Sequence, residues 1–429
     1  MNKIIIFNII LLKIINCQII FPFFKYNNIE YPDRILKNNI FSELNIGNPP
    51  QKTLINFNFE LFSFFISSKN KTSKGYNEHL SNKFKKIDDS IMLIYYEDER
   101  SSIMANYVCD LFTFKNIETN LTFYLAFGFS KNENIINGSI GLNFINKRKY
   151  SNEENFIFQL HKKNLIKETV FSIIYNNNNN KKKDFSGSIL IGNYPHEIDK
   201  NFDIENFKFI NSEINFRFET WGIFFNSIEY ENKIDDLNYA SLNNNIEGII
   251  GSRNYQNFLY EKYFKNYINK KLCKEQNFLN NQFIVYVCKK EIDYLNFSSI
   301  YFNHDLFNFS FVLESKDLWI ENNNEIYFMI VFSTKITNSW TLGEIFLRKY
   351  KFVFDLDRKI IGFYNENNKN IKNQLYNKII IFLLFFIFFT LLFLFLFKLY
   401  KNRPRKIHAN ELIENYDYSI NKENYTKIN

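Results

Sequence analysis

The hydrophobic residues of this chain fall in many short runs. These runs are rich in Ile, Phe, Tyr and Val, and Asn, Lys and Asp separate them. β-Branched and aromatic residues favour strands, whereas few stretches have the longer period of an amphipathic helix. The pattern therefore predicts an all-β fold for most of the chain.

One segment departs from this pattern. Residues 379–397 consist of Ile, Leu and Phe, with Thr390 as the single exception. At the helical rise these 19 residues reach roughly 28 Å, enough to cross the core of a bilayer. A fully buried helix of a soluble protein is the alternative. The segment predicts a transmembrane helix, with the lipid bilayer as its partner.

Positive charge is concentrated just after this segment. The cations are Lys398, Lys401, Arg403, Arg405 and Lys406. Such a flank is expected on the cytoplasmic side of a stop-transfer segment, and it predicts single-pass type I topology. These five residues supply much of the net charge of +8, so the charge does not indicate a surface for nucleic acid.

The first residues have the pattern of a secretory signal. A charged start at Lys3 precedes a mainly apolar run, residues 4–15, and cleavage is predicted near Cys17. A membrane-embedded helix is the alternative, but the run is short for a span. We therefore expect the bulk of the protein to be lumenal or extracellular, in the secretory or endolysosomal pathway or at the cell surface.

Four cysteines fit an oxidising compartment. Cys273 and Cys288 are spaced to close one loop, which predicts a disulfide, and Cys109 is left over. Metal binding is the alternative, but no second Cys pair or His cluster accompanies them. No metal or other cofactor is predicted.

An internal repeat sharpens the all-β prediction. A strand and turn near Asn58 are followed about eighty residues later by the segment 139–142, Ser-Ile-Gly-Leu. A second strand and turn near Asn243 are followed about a hundred residues later by the segment 341–343, Thr-Leu-Gly. Two similar β-barrel lobes that meet at a cleft would produce this arrangement. A length of 429 residues and an apolar content of 46% suit such a large core.

Several segments resemble the pepsin-like aspartic peptidase family. Residues 46–51, Ile-Gly-Asn-Pro-Pro-Gln, resemble the family's Ile-Gly-Thr-Pro-x-Gln, and residues 57–66 resemble the strand that carries its first catalytic Asp. The closing segment, residues 340–363, is the densest match. The resemblance covers residues 41–364 and implies a bilobal pepsin-like fold in which Gly141 and Gly343 are structural.

The same resemblance implies that the catalytic pair is missing. Asn58 stands where the family has its first Asp, and counting from Trp221 places the second at Asn243. The family's two carboxylates share a proton while one activates water, and an amide cannot do this. Loss of one positioned base typically costs about 10²- to 10⁴-fold in rate. Proteolysis of the ordinary kind is therefore expected to be negligible.

Other carboxylates lie close to these turns in sequence. Glu60 and Glu247 are within or next to the altered motifs, and Asp235 and Asp236 lie upstream of the second. We interpret them as solvated loop charges, unless a pair lies at hydrogen-bonding distance across the cleft.

The family's cleft also has counterparts in this sequence. Its flap hairpin corresponds to residues 94–98, with Tyr96 as the flap tyrosine, although an ordinary surface hairpin is equally consistent. Phe59 and Asn244, each next to a substituted Asp position, are predicted to face the cleft.

The predicted organisation has seven parts. They are a signal peptide (1–17), a short lead-in (18–40), an N-terminal lobe (41–194), a C-terminal lobe (195–365), a stalk (366–378), a transmembrane helix (379–397) and a cytoplasmic tail (398–429). Glycosylation sequons begin at Asn70, Asn120, Asn137, Asn296 and Asn308.

Three functions remain open. The first is an inactive, membrane-anchored homologue that binds a peptide or protein in or near the cleft. The second is an active aspartic endopeptidase with a non-standard site. The third is an adhesion or structural ectodomain. An exposed apolar cleft would favour binding, whereas side chains such as Phe59 and Leu61 plugging it would favour the structural role.

Overall fold

The fold is described from a computed structural model. It covers residues 18–401, apart from 26–28, 39, 70–74, 89, 97–100, 115–116, 130–136, 145–150, 177–185, 213–219, 232, 336–338 and 365–366. The predicted signal peptide and most of the predicted tail lie outside these residues. The chain consists of two compact units, and the boundary between them lies between Asn365 and Glu366.

Twelve strands form the first half of the larger unit. They are β1 (Ile19–Lys25), β2 (Ile40–Ile46), β3 (Gln51–Asn58), β4 (Phe64–Ser67), β5 (Lys85–Lys86), β6 (Met92–Tyr96), β7 (Ser101–Phe114), β8 (Ile117–Phe129), β9 (Gly138–Gly141), β10 (Val170–Tyr175), β11 (Gly187–Ile191) and β12 (Phe207–Asn211).

Thirteen strands form the second half. They are β13 (Gly222–Tyr230), β14 (Lys233–Leu242), β15 (Ile249–Gly251), β16 (Cys273–Phe278), β17 (Phe283–Lys289), β18 (Ile300–His304), β19 (Phe309–Leu313), β20 (Trp319–Asn322), β21 (Glu325–Phe328), β22 (Ile330–Ser333), β23 (Trp340–Leu342), β24 (Val353–Asp355) and β25 (Ile360–Tyr364).

Helices are short, except for the last one. The α-helices are Phe156–Lys162, Pro195–Ile198, Arg253–Leu259, Lys265–Asn269, Ser315–Leu318, Glu344–Tyr350 and Asn367–Lys401. Single turns of 3₁₀-helix are Asp33–Leu36, Glu78–Leu80, Asn152–Glu154, Ile204–Asn206, Tyr294–Asn296 and Asp305–Phe307, and a π-helical turn is Tyr260–Phe264.

A closed barrel forms the core of the N-terminal lobe. Its six strands pair in the order β2, β3, β9, β4, β8 and β7, and β7 pairs with β2 again. Strand β2 alternates buried and more exposed residues, as expected when one face of a strand packs inward. Phe64 fills the interior against Phe112, Phe123 and Phe156, with ring centroids 5.2–5.8 Å apart.

Two further sheets complete this unit. A sheet between the lobes has the strand order β12, β25, β24, β10, β11 and β1, and β1 joins it to the barrel by pairing with β2. The C-terminal lobe has the order β19, β18, β13, β14, β23, β15, β22, β17, β21 and β20, with β16 on β17. The prediction of an all-β, two-lobed fold is confirmed.

The predicted disulfide is also confirmed. Cys273 and Cys288 are bonded, and they face each other across the hairpin of β16 and β17. Because the pairing register places the two residues opposite each other, the bond holds this hairpin closed. Cys109 is a free, half-buried cysteine.

The smaller unit contains a helix that is long and apolar enough to cross a membrane. Its candidate span is Ile380–Leu399, 20 residues with a mean hydropathy of 3.2. The predicted bounds, 379–397, differ from it by one and two residues. The helix begins at Asn367, so residues 367–378 of the predicted stalk are helical and continuous with the span.

Candidate functional site at the junction of the lobes

Asn58 ends a central strand of the N-terminal lobe. Strand β3 runs parallel to β9, and Asn58 is in register with Gly141. The backbone nitrogen of Leu142 donates to the Asn58 carbonyl oxygen at 2.8 Å. Asn58 has no exposed surface.

Asn243 has a matching environment in the C-terminal lobe. It directly follows β14, which runs parallel to β23, with Leu242 in register with Leu342. The Asn243 backbone nitrogen donates to the Leu342 carbonyl oxygen at 3.0 Å, and the residue is 8% exposed. Asn58 thus ends its strand and Asn243 follows its strand. In both cases the neighbouring parallel strand ends at or just before a glycine.

The two asparagine side chains fold back on their own turns. Asn58 Oδ1 accepts the backbone N–H of Glu60 at 2.7 Å, and Asn243 Oδ1 accepts that of Asn245 at 2.8 Å. Asparagine commonly makes this contact with the residue two positions ahead, because its short side chain mimics a backbone turn. Each amide is neutral, and each amide oxygen already accepts a hydrogen bond.

Asn244 joins the two lobes. Its Nδ2 donates to the Phe57 carbonyl oxygen at 2.6 Å, and its Oδ1 accepts the Phe59 N–H at 3.1 Å. The predicted position in the cleft is therefore not the one found, since Asn244 has no exposed surface. Its amide thus supplies a donor and an acceptor to two backbone groups of the other lobe.

Phe59 also differs from its predicted position in the cleft. It is fully buried, and its ring packs against Phe354 at 4.8 Å and Phe171 at 5.7 Å, both edge to face. An aromatic side chain in this turn gains far more from the core between the lobes than from solvent. Phe59 therefore lies beneath the turn rather than in an open cleft.

Glu60 brings a carboxylate to the second asparagine. Asn243 Nδ2 donates to Glu60 Oε1 at 2.6 Å, and Glu60 is partly exposed. The sequence interpretation of Glu60 as a solvated loop charge is therefore incomplete. The hydrogen bond connects the turn of one lobe with the turn of the other.

Glu247 has other partners. It accepts hydrogen bonds from Arg34 Nε at 2.9 Å and from the Tyr31 hydroxyl at 3.2 Å, and it is almost fully buried. Burial, followed by the charge of Glu247, raises the pKa of Tyr31. Asp235 and Asp236 lie along β14, opposite Ile228 and Ser227, and so precede its end by several residues.

The lead-in contacts the second turn directly. The backbone nitrogens of Glu247 and Gly248 donate to the Ile35 carbonyl oxygen at 3.0 and 2.9 Å. Asn38 Nδ2 donates to the Asn244 carbonyl oxygen at 3.1 Å. Sequence reasoning missed these residues, because nothing in the lead-in indicates contacts with a turn two hundred residues away.

Gly141 and Gly343 lie where the chain passes close to itself. A Cβ on Gly343 would be 2.1 Å from the Gly248 carbonyl oxygen, and one on Gly141 would be 2.4 Å from the Phe62 carbonyl carbon. Only glycine allows this approach. Next to Gly141, the Leu142 carbonyl oxygen accepts a hydrogen bond from Trp221 Nε1 at 2.8 Å.

The flap region is only partly described. Tyr96 ends β6 in register with Ser101, but its side chain is not among those described, and residues 97–100 lie outside the described residues. Leu61 is buried in a small cluster with Phe65, Ile103 and Tyr124.

The described residues also bear on metal binding and on Cys109. No group of three or more His, Cys, Asp or Glu side chains among them could hold a metal ion. Burial raises the pKa of the Cys109 thiol, which disfavours the thiolate.

This chain has two β lobes, which are joined through paired asparagine turns beside parallel strands. These features define it as an aspartic-peptidase-like protein. The family model for eukaryotic aspartyl proteases matches residues 40–365. The chain therefore belongs to the eukaryotic aspartyl protease family. A search of curated proteins found no match.

Proposed function

We propose that this protein is a membrane-anchored, catalytically inactive member of the aspartyl protease family. In this proposal Asn58 and Asn243 replace the catalytic pair, and the protein binds a peptide or protein in or near the cleft without cutting it. The observation that carries the proposal is the state of the two amides, each of which accepts a hydrogen bond from its own turn.

The chemistry of these groups argues against peptide hydrolysis. A general base must accept a proton from water, and a neutral amide does not do so at acidic or neutral pH. Glu60 accepts a hydrogen bond from Asn243, and Glu247 accepts hydrogen bonds from Arg34 and Tyr31. A facing carboxylate pair of the kind that shares a proton is therefore missing from the described junction.

The membrane anchor belongs to the same proposal. The span Ile380–Leu399 is about 30 Å long at the helical rise, and Lys398 and Lys401 lie at its C-terminal end. With three further cations at 403–406, this end carries the flank expected on the cytoplasmic side. Type I orientation would make residues 18–365 lumenal or extracellular, which suits the Cys273–Cys288 disulfide.

The binding role is supported by the partial exposure of Glu60, which lies between the buried Phe59 and Leu61. A ligand that entered between the lobes would meet one anionic group beside Asn243. The burial of Leu61, together with the bridge between Glu60 and Asn243, instead favours the adhesion or structural role, because both features tighten the junction.

An active enzyme is the remaining candidate, and one observation favours it. Glu60 Oε1 lies 2.6 Å from Asn243 Nδ2, so this carboxylate adjoins the second asparagine. In such an enzyme Glu60 would act as the base toward water, and the amides would orient that water.

A cleavage assay separates these candidates. Full-length protein in nanodiscs would be incubated with a diverse peptide mixture from acidic to neutral pH. The parallel variants would be Glu60→Gln and the double variant Asn58→Asp with Asn243→Asp. We expect the unmodified chain to release no fragments. Cleavage that a pepsin-type transition-state inhibitor blocks would sink the inactive assignment, and its loss in Glu60→Gln would assign the base to Glu60.

A second assay addresses binding. A displayed peptide library would be selected on the same nanodiscs, with Glu60→Lys as the test variant. Glu118→Lys makes the same change of charge at an exposed site on β8 and serves as the control. Peptides that bind in the cleft should lose affinity for Glu60→Lys alone. If no peptide is enriched on the unmodified chain, the adhesion or structural role gains support.

A further inference from the structure

Two leucines of the C-terminal lobe are unusually exposed. Leu306 is 89% exposed and Leu295 is 65% exposed. Exposed leucines are common on protein surfaces and by themselves indicate nothing. In this chain, however, Leu295 immediately precedes Asn296, and Leu306 lies two residues before Asn308. Each leucine thus adjoins the acceptor of a glycosylation sequon.

Both sequons have their asparagine at the end of a single 3₁₀ turn on the surface. Asn296 ends the turn Tyr294–Asn296, and Asn308 follows the turn Asp305–Phe307 with a left-handed backbone, φ 45°. Both asparagines are exposed.

The middle residue of each sequon anchors it. Phe297 packs against Tyr230 at 4.9 Å, and Phe309 packs against Phe363 at 5.1 Å. Because each phenylalanine points into the protein, its neighbouring asparagine is held facing outward.

We propose that Asn296 and Asn308 carry N-linked glycans and that these glycans cover Leu295 and Leu306. The modification would use a lipid-linked oligosaccharide pyrophosphate as donor. A bond forms between Asn Nδ2 and the anomeric carbon of the first sugar, the bond from that carbon to the phosphate oxygen breaks, and the amide gives up one proton. The inference rests on the lumenal topology of the proposed function.

Asn137 provides a contrast within the same chain. It is half-buried, and its carbonyl oxygen accepts the Ser67 N–H at 2.8 Å. The hydroxyl-bearing residue of this sequon, Ser139, is fully buried on β9. A glycan there would start from a half-buried residue directly before β9, so Asn137 should stay unmodified in the folded protein.

Occupancy can be mapped on the full chain made in eukaryotic secretory cells. Enzymatic removal of glycans converts an occupied Asn to Asp, which mass spectrometry of peptides detects. We expect this conversion at Asn296 and Asn308, and one glycan fewer in each of Asn296→Gln and Asn308→Gln. Asn137→Gln should leave the number of glycans unchanged, and Ser310→Thr should keep the glycan at Asn308.

The outcomes distinguish this inference from the proposed function. If Asn120, which is exposed on β8, is glycosylated while Asn296 and Asn308 are recovered unmodified, the topology stands and this inference is overturned. If no sequon is modified, this inference and the lumenal topology of the proposed function are both refuted. A glycan at Asn137 would refute the argument from burial.

The covering role has a separate test. Asn308→Gln should increase the aggregated fraction in size-exclusion chromatography, and adding Leu306→Ser should restore the monodisperse fraction. Leu306→Ser alone should behave like the unmodified chain. If the double variant aggregates as much as Asn308→Gln, Leu306 is not the surface that the glycan covers.

Discussion

Asn244 Oδ1 accepts a hydrogen bond from the Phe59 backbone nitrogen at 3.1 Å, and this contact joins the second residues of the two turns. The two residues have equivalent positions but different roles. Asn244 reaches across to the opposite backbone with its amide, whereas Phe59 places its ring in the core between the lobes. The two turns of the junction therefore have corresponding backbone positions, but their second side chains have different roles.

Replacing Asn244 should weaken the union of the lobes. Asn244→Ala would leave the Phe57 carbonyl and the Phe59 N–H buried without side-chain partners, at a cost of about 1–3 kcal/mol for each. Asn244→Thr should lose less, because a hydroxyl can both donate and accept. Denaturant unfolding of the two variants would measure the difference. If Asn244→Ala is as stable as the unmodified protein, these bonds contribute little.

Replacing Phe59 with threonine should destabilise this protein. Phe59→Thr removes a fully buried ring from its contacts with Phe171 and Phe354, and truncation of a buried Phe costs about 3–5 kcal/mol. Phe59→Leu keeps most of the volume and should cost less. Thermal unfolding should rank the proteins as unmodified, Leu variant, then Thr variant. A Thr variant as stable as the unmodified protein would contradict the packing described.

An added methyl group at Gly343 should not be tolerated. The new Cβ would meet backbone oxygens of Gly248 and Ile246 at 2.1 and 2.6 Å, and overpacking costs about 1–3 kcal/mol or more. Gly128→Ala is a matched control, because its Cβ would meet the end of the Met104 side chain, which can move aside. Secretion yield and melting temperature should fall for Gly343→Ala alone.

Acid should destabilise the region around His196. Burial lowers the pKa of His196 below its ordinary value of 6.5, and its Nδ1 lies 2.7 Å from the Tyr364 hydroxyl. The unfolded chain therefore binds a proton more readily, so this contribution to stability is present above pH 6.5 and is lost as pH falls through the lowered pKa. The melting temperature of His196→Gln should decline less between pH 7.5 and 5.5, whereas His79→Gln, at an exposed site, should follow the unmodified chain.

The sequence was sufficient for features that depend on local pattern. Runs of β-branched and aromatic residues predicted the strands, and the apolar segment at 379–397 predicted the long apolar helix. The spacing of Cys273 and Cys288 predicted their disulfide. These signals are local, or they depend on residues brought together by one hairpin.

The directions of turn side chains could not be predicted in this way. The sequence places Phe59 and Asn244 beside the cleft. Whether each side chain points into the cleft or into the protein depends on residues more than one hundred positions away, such as Phe171 and Phe57. The contacts of Asn38 and Ile35 with the second turn depend on the same long-range closure.

Strand β1 bears on how the chain folds during synthesis. It pairs with β2 on one side and with β11, about 170 residues later, on the other, while β10 pairs with β24 near the end of the larger unit. Contacts of such large sequence separation slow folding, because a long loop must close before any of them forms. Apolar residues of β1, such as Phe23, which packs against Tyr175, must therefore wait for β10 and β11 to be made before they are buried. Chaperones of the compartment where the chain emerges should therefore hold this N-terminal segment until β11 has been made.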